Sequence, residues 1–341
     1  MDFIFQSRAR PQLTISISAE PSKRSQLVLI VAALALIALV LFVTLPSRLK
    51  ILDVLNDTAH APALGAFAFI VLRLVRLGQQ PIKRAFGYGI AFLTAVGVGA
   101  SIEIVQSFID RDASLGDLET DALGAACVLG IAAAFDRKLW LAHPQSTGRI
   151  ATAVLGVICG LWALLPLGQA AVAYFDRASA FPIVARFSAP RDLYFISSPT
   201  ATLSLQPLPT QWARLDDALS LRVAYLAATV WPGASLDEPE PDWRGFSALL
   251  LDVTNPAATS LRLMVRVHDA AHDQRHEDRF NRDFEVMPLS RAVLRIPIQD
   301  ILTGPVGRPL DLARIAGVVI FANMESVPVG GYFYLTKIWL E

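Results

Sequence analysis

The 341-residue chain carries 30 basic and 30 acidic side chains, and a formal net charge of zero gives no electrostatic footprint for a nucleic-acid partner. Hydrophobic residues make up 54% of the chain and the mean hydropathy is +0.47, which excludes an ordinary soluble protein. Its two cysteines, Cys127 and Cys159, fall inside apolar runs, so they build neither a disulfide framework nor a zinc site, and no metal or other cofactor is expected.

Residues 1–26 are polar, with Arg8, Arg10, Lys23 and Arg24 against Asp2 and Glu20, and read as a cytoplasmic tail. Leu27 to Leu45 is almost purely Leu, Val, Ile and Ala, too long for a signal-peptide core and without a small-residue cleavage site after it. It predicts a retained anchor helix closed by Pro46. A loop with Asp53, Asn56, Asp57 and His60 follows over 46–60, then a second helix over about 61–77 with Arg73 and Arg76 near its end. The third helix, 85–109, carries Gly87, Gly89, Gly97 and Gly99. The fourth, 118–135, carries Gly124, Ala125, Ala126 and Gly130, and such small residues permit close helix packing. A fifth runs over about 150–174, with Pro166 as a kink. Residues 27–175 therefore predict an α-helical membrane bundle of five transmembrane helices.

Loop charge gives the orientation. The N-terminal tail and the 78–84 and 136–149 loops hold most of the Lys and Arg, whereas the loops at 46–60 and 110–117 hold only Arg48, Lys50 and Arg111. The basic side is expected to be cytoplasmic. The expectation is a multi-pass membrane protein with its N-terminus inside and everything after Tyr174 outside.

The character changes at Asp176. Residues 176–218 read as a linker and first strands, with loops at Pro-rich 199–209 and acidic 236–242. Period-two alternation marks strands at Leu219–Tyr225, Leu261–Val267 and Ala292–Ile298, and more continuous apolar runs mark Ile315–Phe321 and Tyr332–Leu340. Residues 219–341 predict an all-β sandwich of the jelly-roll kind.

Polar residues inside the apolar helices single out one stretch. Glu103 and Gln106 share a helix face, and Asp117, Asp121 and Gly124 share another, with Arg111 and Asp112 in the turn between. Glu103 lies about 9 Å from its helix end at the helical rise. A carboxylate at such depth costs roughly 2.5–3.5 kcal/mol unless it faces protein or water. Two readings stand side by side. In one, His60, Glu103, Arg111, Asp117 and Asp121 form an acid/base or anion site, with Asp57, Gln106 and Asp112 as binding residues. In the other, the same residues only lock helices together. On the predicted topology they converge at the outer surface.

The pattern of Asp57 and His60, then Glu103-x-x-Gln106, Arg111, Asp117 and Gly124 resembles the VanZ-like membrane family over about residues 28–140. The departure is Asp121, where the family pattern has Asn. That resemblance implies a membrane bundle in a bacterial cytoplasmic membrane and little chemistry. The last part is similar to carbohydrate-binding modules and galactose-binding-like jelly rolls, on Asp242-Trp243-Arg-Gly245, Val267-His-Asp269, Asp278-Arg279-Phe280-Asn281 and Phe333 to Glu341. It implies Trp243, Arg279 and Phe280 as sugar-contacting candidates, although such aromatics more often fill a core. His268, His272 and His276 are four apart, but in a strand end and loop this spacing loses its helical meaning and reads as surface histidines. The expected function is binding or handling of an envelope glycan or glycolipid among membrane lipids. The alternatives are an enzyme on a lipid-linked phosphate or peptidoglycan-type substrate, and a scaffold for envelope- or exopolysaccharide-assembly proteins.

Overall fold

The computed structural model describes residues 23–43, 45, 49–77, 83–108, 114–141, 147–227, 229–323 and 330–341. The chain divides into two compact units, Met1–Leu167 and Gly168–Glu341. The first is helical: α1 (Lys23–Phe42), α2 (Lys50–Leu77), α3 (Arg84–Gln106), α4 (Leu115–Phe135) and the first part of α5 (Thr147–Ala180). All five helices are long and apolar enough to cross a membrane by length and composition.

The expected loop at 46–60 is corrected, because α2 already begins at Lys50. Ile51, Val54, Thr58 and Ala61 recur every three or four residues and are buried or half-buried, so the segment has a helical inner face despite its polar residues. Pro62 then lies inside α2 rather than next to its start. The fifth helix extends beyond the expected 150–174 in both directions, with Pro166 inside it.

Polar ties at both ends show that α2, α3 and α4 run alternately up and down. At one end Asp136, which caps α4, accepts from Arg76 at the end of α2 (2.6 Å), Arg84 at the start of α3 (3.0 Å) and Tyr88 (3.2 Å). Nearby, Arg149 Nε donates to Ala134 O at 2.7 Å, and Trp140 Nε1 donates at 2.8 Å to Ala133 O, which also accepts from the Asp136 N–H, so side chains hold the last carbonyls of α4. Glycine sets the helix spacing. A Cβ on Gly124 of α4 would lie 2.0 Å from Ala61 O of α2, and one on Gly130 would lie 2.9 Å from Thr152 O of α5. Backbones approach this closely only where one partner has no side chain.

The second unit is a sandwich of two antiparallel sheets. The first sheet has the order β3 (Ala201–Gln206), β4 (Ser220–Tyr225), β11 (Tyr332–Leu340), β6 (Ala248–Asn255), β9 (Ser290–Pro297), and β1 (Ile183–Arg186) also pairs with β11. The second has the order β2 (Ile196–Ser197), β5 (Gly233–Asp237), β10 (Ile315–Ala322), β7 (Leu261–Asp269), β8 (Phe280–Val286). From β4 onward the chain changes sheet at every connection except the β7–β8 hairpin, which is jelly-roll-type crossing. A short helix α6 (Ile298–Leu302) follows β9.

Alternation builds the core. Leu221 and Val223, Leu249, Leu251 and Val253, and Leu294 and Ile296 point inward from the first sheet. They meet Leu263, Val265 and Val267, and Val318 and Ile320, from the second. The sandwich starts earlier than the expected residue 219, since Ala173 near the end of α5, Val184 of β1 and Phe187 belong to the same core. The loop expected at 199–209 is corrected, since Pro199, Pro207 and Pro209 flank β3 rather than interrupt it, and the loop expected at 236–242 is confined to 238–242 because β5 runs to Asp237.

Candidate functional site

In the helical unit, the end opposite Asp136 gathers the polar residues. His60 Nδ1 on α2 lies 3.3 Å from Asp121 Oδ1 on α4, and the two side chains are 4% and 0% exposed. Among the described residues, neither His60 Nδ1 nor either Asp121 oxygen has another partner in hydrogen-bond geometry. Asp121 fits because α3 offers a glycine opposite it: a Cβ on Gly99 would lie 2.4 Å from Asp121 Oδ2. One turn further along α3, Glu103 Oε2 accepts from the backbone N–H of Ser114 at 2.7 Å. The Ser114 hydroxyl in turn caps α4, accepting from the N–H groups of Gly116 (3.1 Å) and Asp117 (3.3 Å). Glu103 therefore fixes the residue that starts α4.

Asp117 and Glu103 lie within electrostatic reach of His60, and Asp57, exposed on α2, within reach of Asp117. Gln106 is buried on α3. Arg111 and Asp112 fall outside the described residues. The structure thus brings His60, Glu103, Asp117 and Asp121 together from three helices.

In the sandwich, Trp243 is 0% exposed and its indole N–H donates to Glu240 O at 2.8 Å. Phe280 is likewise in the core. Neither ring has a face to offer a ligand. Both sit where inward-pointing residues of the two sheets meet, as apolar aromatics in a sandwich must. Arg279 is half-buried beside β8, where its Nε donates to Asn281 Oδ1 at 3.2 Å. His272, Asp273 and Asp278 come close enough for their ligand atoms to surround an ion. Asp278, however, accepts from Arg308 Nε at 2.5 Å and from the Asp273 N–H at 2.9 Å, and it is held well below the usual carboxylate range chiefly by that arginine. The carboxylate is satisfied by a guanidinium and a backbone N–H.

A cleft of about 400 Å³ opens on the outer face of the first sheet. Its cause is a change of partner along β11, which pairs with β4 over Tyr332–Leu335 and with β1 over Lys337–Trp339. Thr336 sits at the break, and its hydroxyl lies 3.0 Å from that of Ser220. Trp339 and Lys337 line the cleft, the Lys337 ammonium 5.2 Å from the indole centroid.

The polar side of the cleft is built on Arg291. Its side chain is 5% exposed, and it bridges Asp252 (6%) and Asp217 (10%). Arg291 donates to Asp252 through Nε at 2.8 Å and a terminal nitrogen at 2.6 Å, to both oxygens of Asp217, and to Trp212 O at 2.7 Å. The Arg291 hydrogen bonds hold the Asp217 carboxyl below its usual range, with a smaller contribution from the backbone N–H of Arg214. Such a bidentate network fixes donors and acceptors before any ligand arrives. Sequence reasoning passed over these residues. The signal was Asp252, a lone acid in the apolar run Ala248–Val253, which must find a cation from a neighbouring strand.

No protein-family model matches the chain, and no curated protein matches it. Among solved structures, an exo-beta-agarase is similar with a TM-score of 0.38 and 13% identity, over 47% of this chain and 24% of the agarase. A family 11 carbohydrate-binding module from Clostridium thermocellum, in complex with a beta-1,3-1,4-mixed-linked tetrasaccharide, gives 0.32 and 16%, over 43% of this chain and 88% of the module. A xylan-binding domain from carbohydrate-binding module family 22 gives 0.31 and 15%, over 46% of this chain and 90% of the domain. The sandwich assignment itself rests on the strand order and the two-sided core. The VanZ-like resemblance of the helical unit rests on its residue pattern alone.

Proposed function

We propose that this protein is an integral membrane protein that binds a glycan, or the glycan part of a glycolipid, in the cleft on the first sheet. One observation carries the reading: a half-buried indole, Trp339, lines a cleft whose other wall is a fixed set of charged hydrogen-bonding groups. A sugar ring presents C–H bonds on its faces and hydroxyls around its edge. The first suit an indole, and the second suit immobilised carboxylates and guanidinium groups that pay little ordering entropy on binding.

The helical unit serves in this proposal as the membrane anchor, with the VanZ-like pattern as its packing signature. Burial supports a locking role for His60 and Asp121, because a fully enclosed carboxylate against Gly99 leaves no path for a substrate. The charge of the loops supports an outer-surface placement of the sandwich in a bacterial cytoplasmic membrane.

The test is titration of the full-length protein in lipid nanodiscs with a panel of neutral oligosaccharides, read by tryptophan fluorescence. A ligand should be found whose binding is lost in Trp339→Ala and retained in His60→Gln. Binding that survives Trp339→Ala would move the site away from the cleft. Loss in His60→Gln, with the protein still accumulating, would favour a working site in the helical unit.

A further inference from the structure

The outer face of the second sheet carries a group of basic side chains, two arginines and two histidines, with few acids beside the arginines. On β7, Arg266 and His268 point outward, opposite to the core residues Val265 and Val267. Arg266 lies across from Asn281 of β8 and Val319 of β10, and His268 across from Gly317. Arg279 is within electrostatic reach of both Arg266 and His268. The His272 ring completes the group, its centroid 5.2 Å from that of His268.

Three features set this patch apart from an ordinary solvated one. First, the basic groups are recessed. Arg266 Nε and His268 Nδ1 are buried without a hydrogen-bond partner among the described residues. The Arg266 guanidinium lies over the Phe321 ring, 5.4 Å from its centroid, rather than extending into solvent. Second, the sheet makes room for the imidazole: a Cβ on Gly317 would lie 2.4 Å from His268 Cε1. Third, the acids in range are few or engaged. Asp269 receives both terminal nitrogens of Arg308, at 2.6 and 3.0 Å, and Asp278 receives Arg308 Nε at 2.5 Å and lies 3.5 Å from His272 Nδ1; among the described residues neither acid forms an ion pair with Arg266 or Arg279. Glu277 acts on Arg279, but among the described residues it forms no ion pair with it. Burial, with Arg279 beside it, pushes Arg266 down to about 10. Burial, with His272 and the two arginines nearby, pushes His268 down to about 4. The patch is held at a cost that a bound anion would relieve.

We propose that the outer face of the second sheet is a binding site for an oxyanion, held by Arg266, Arg279 and His268, and that the anion is the carboxylate of an acidic saccharide. Two guanidinium groups and a ring nitrogen give the fork-shaped donor set that matches a carboxylate. Recession favours a small group on a thin chain that lies along the sheet. A lipid surface is served instead by protruding side chains that reach headgroups. The site is on the opposite sheet from the Trp339 cleft and does not depend on it.

The experiment uses the full-length protein in nanodiscs of zwitterionic lipid, titrated calorimetrically with trigalacturonate, its neutral galactose counterpart and inorganic phosphate. Trigalacturonate should bind and the neutral trisaccharide should not. Arg266→Gln and Arg279→Gln should each weaken binding roughly tenfold, the loss expected for one charge-assisted contact. Arg266→Lys should recover part of it, and Trp339→Ala should leave it unchanged. Phosphate binding lost in the same two variants would support the oxyanion site with a different source for the anion. Equal binding of the neutral sugar would overturn the proposal, as would binding that survives both Gln substitutions in protein that melts like the wild type. Silence toward both anions would overturn it too, and so would capture only by vesicles of anionic lipid.

Discussion

Arg291→Met is the substitution whose consequence the structure defines most closely. It keeps an unbranched stem and removes the guanidinium, leaving Asp217 and Asp252 in a nearly solvent-free place with the largely exposed Arg214, 3.6 Å from Asp252, as their remaining cation. Breaking a buried ion network by removing one partner costs roughly 3–5 kcal/mol, because the remaining charges are left uncompensated. The sign with pH follows from Asp217, whose carboxyl Arg291 holds below its usual range. In the wild type that stabilisation is present above the unfolded carboxylate pKa and lost as pH falls through the folded one. In the variant the acids can neutralise by taking up protons, so the deficit should be largest near neutrality and shrink toward about pH 4. Urea denaturation of a fragment spanning 168–341, followed by circular dichroism at several pH values, measures it. Adding Asp217→Asn and Asp252→Asn to Arg291→Met should recover most of the loss, since the buried charges then disappear together. Because Arg291 also holds Trp212 O and Asp217 on the cleft wall, the single variant should bind glycan more weakly as well. A deficit under about 1 kcal/mol at neutral pH, the size of an exposed pair, would refute the reasoning.

A fragment of residues 168–341 should be soluble and unfold cooperatively, whereas one beginning at Phe187 should aggregate or melt early. The shorter piece lacks β1 and its pairing with β11, along with Ala173, Val184 and Ala185 of the core. In the helical unit, Gly124→Ala should lower detergent-solubilised thermal stability by about 1–3 kcal/mol, since its methyl would meet the backbone of Ala61. Gly97→Ala, with open space around it, is the control and should be neutral or better; equal effects at both positions would refute the packing account. His268 gives a second pH dependence in the sandwich. Burial, with neighbouring cations, pushes it from 6.5 to about 4, so its contribution is complete above the unfolded value and lost as pH falls through that window. The loss should reach about 2 kcal/mol by about pH 5 and be absent in His268→Gln, measured as the difference in urea midpoints.

Much of the architecture was legible in the residues. Runs of Leu, Val, Ile and Ala long enough to span a bilayer leave only a helix as the backbone's way to satisfy itself in lipid. Period-two alternation in Leu261–Val267 marks a strand with one buried face, since a one-residue slip would reverse every side chain. Local pattern was less secure where polar residues sit on a helix, as at Asp53 to His60, or where prolines flank a short strand, as around Ala201–Gln206.

The grouping of His60, Glu103, Asp117 and Asp121 was visible in part because depth in an apolar helix makes any acid conspicuous. Their detailed roles were not. That Asp121 fills the space Gly99 vacates, and that Glu103 holds the N–H of the α4 cap, depends on which helix faces which. The sandwich shows the same division. The sequence by itself determined that Trp243 and Phe280 are large, apolar and in strand-rich surroundings, which is equally true of a core ring and a binding platform. Only the tertiary structure sent them inward and brought Trp339 to a cleft. The physical reason is that helices and strands are written by neighbours three or four and two residues apart. Arg291 meets Asp217 across 74 residues and Asp252 across 39, and Arg266 lies opposite Asn281 and within electrostatic reach of Arg279 across a hairpin. Contacts of that range are fixed by sheet order and register, which no local spacing records.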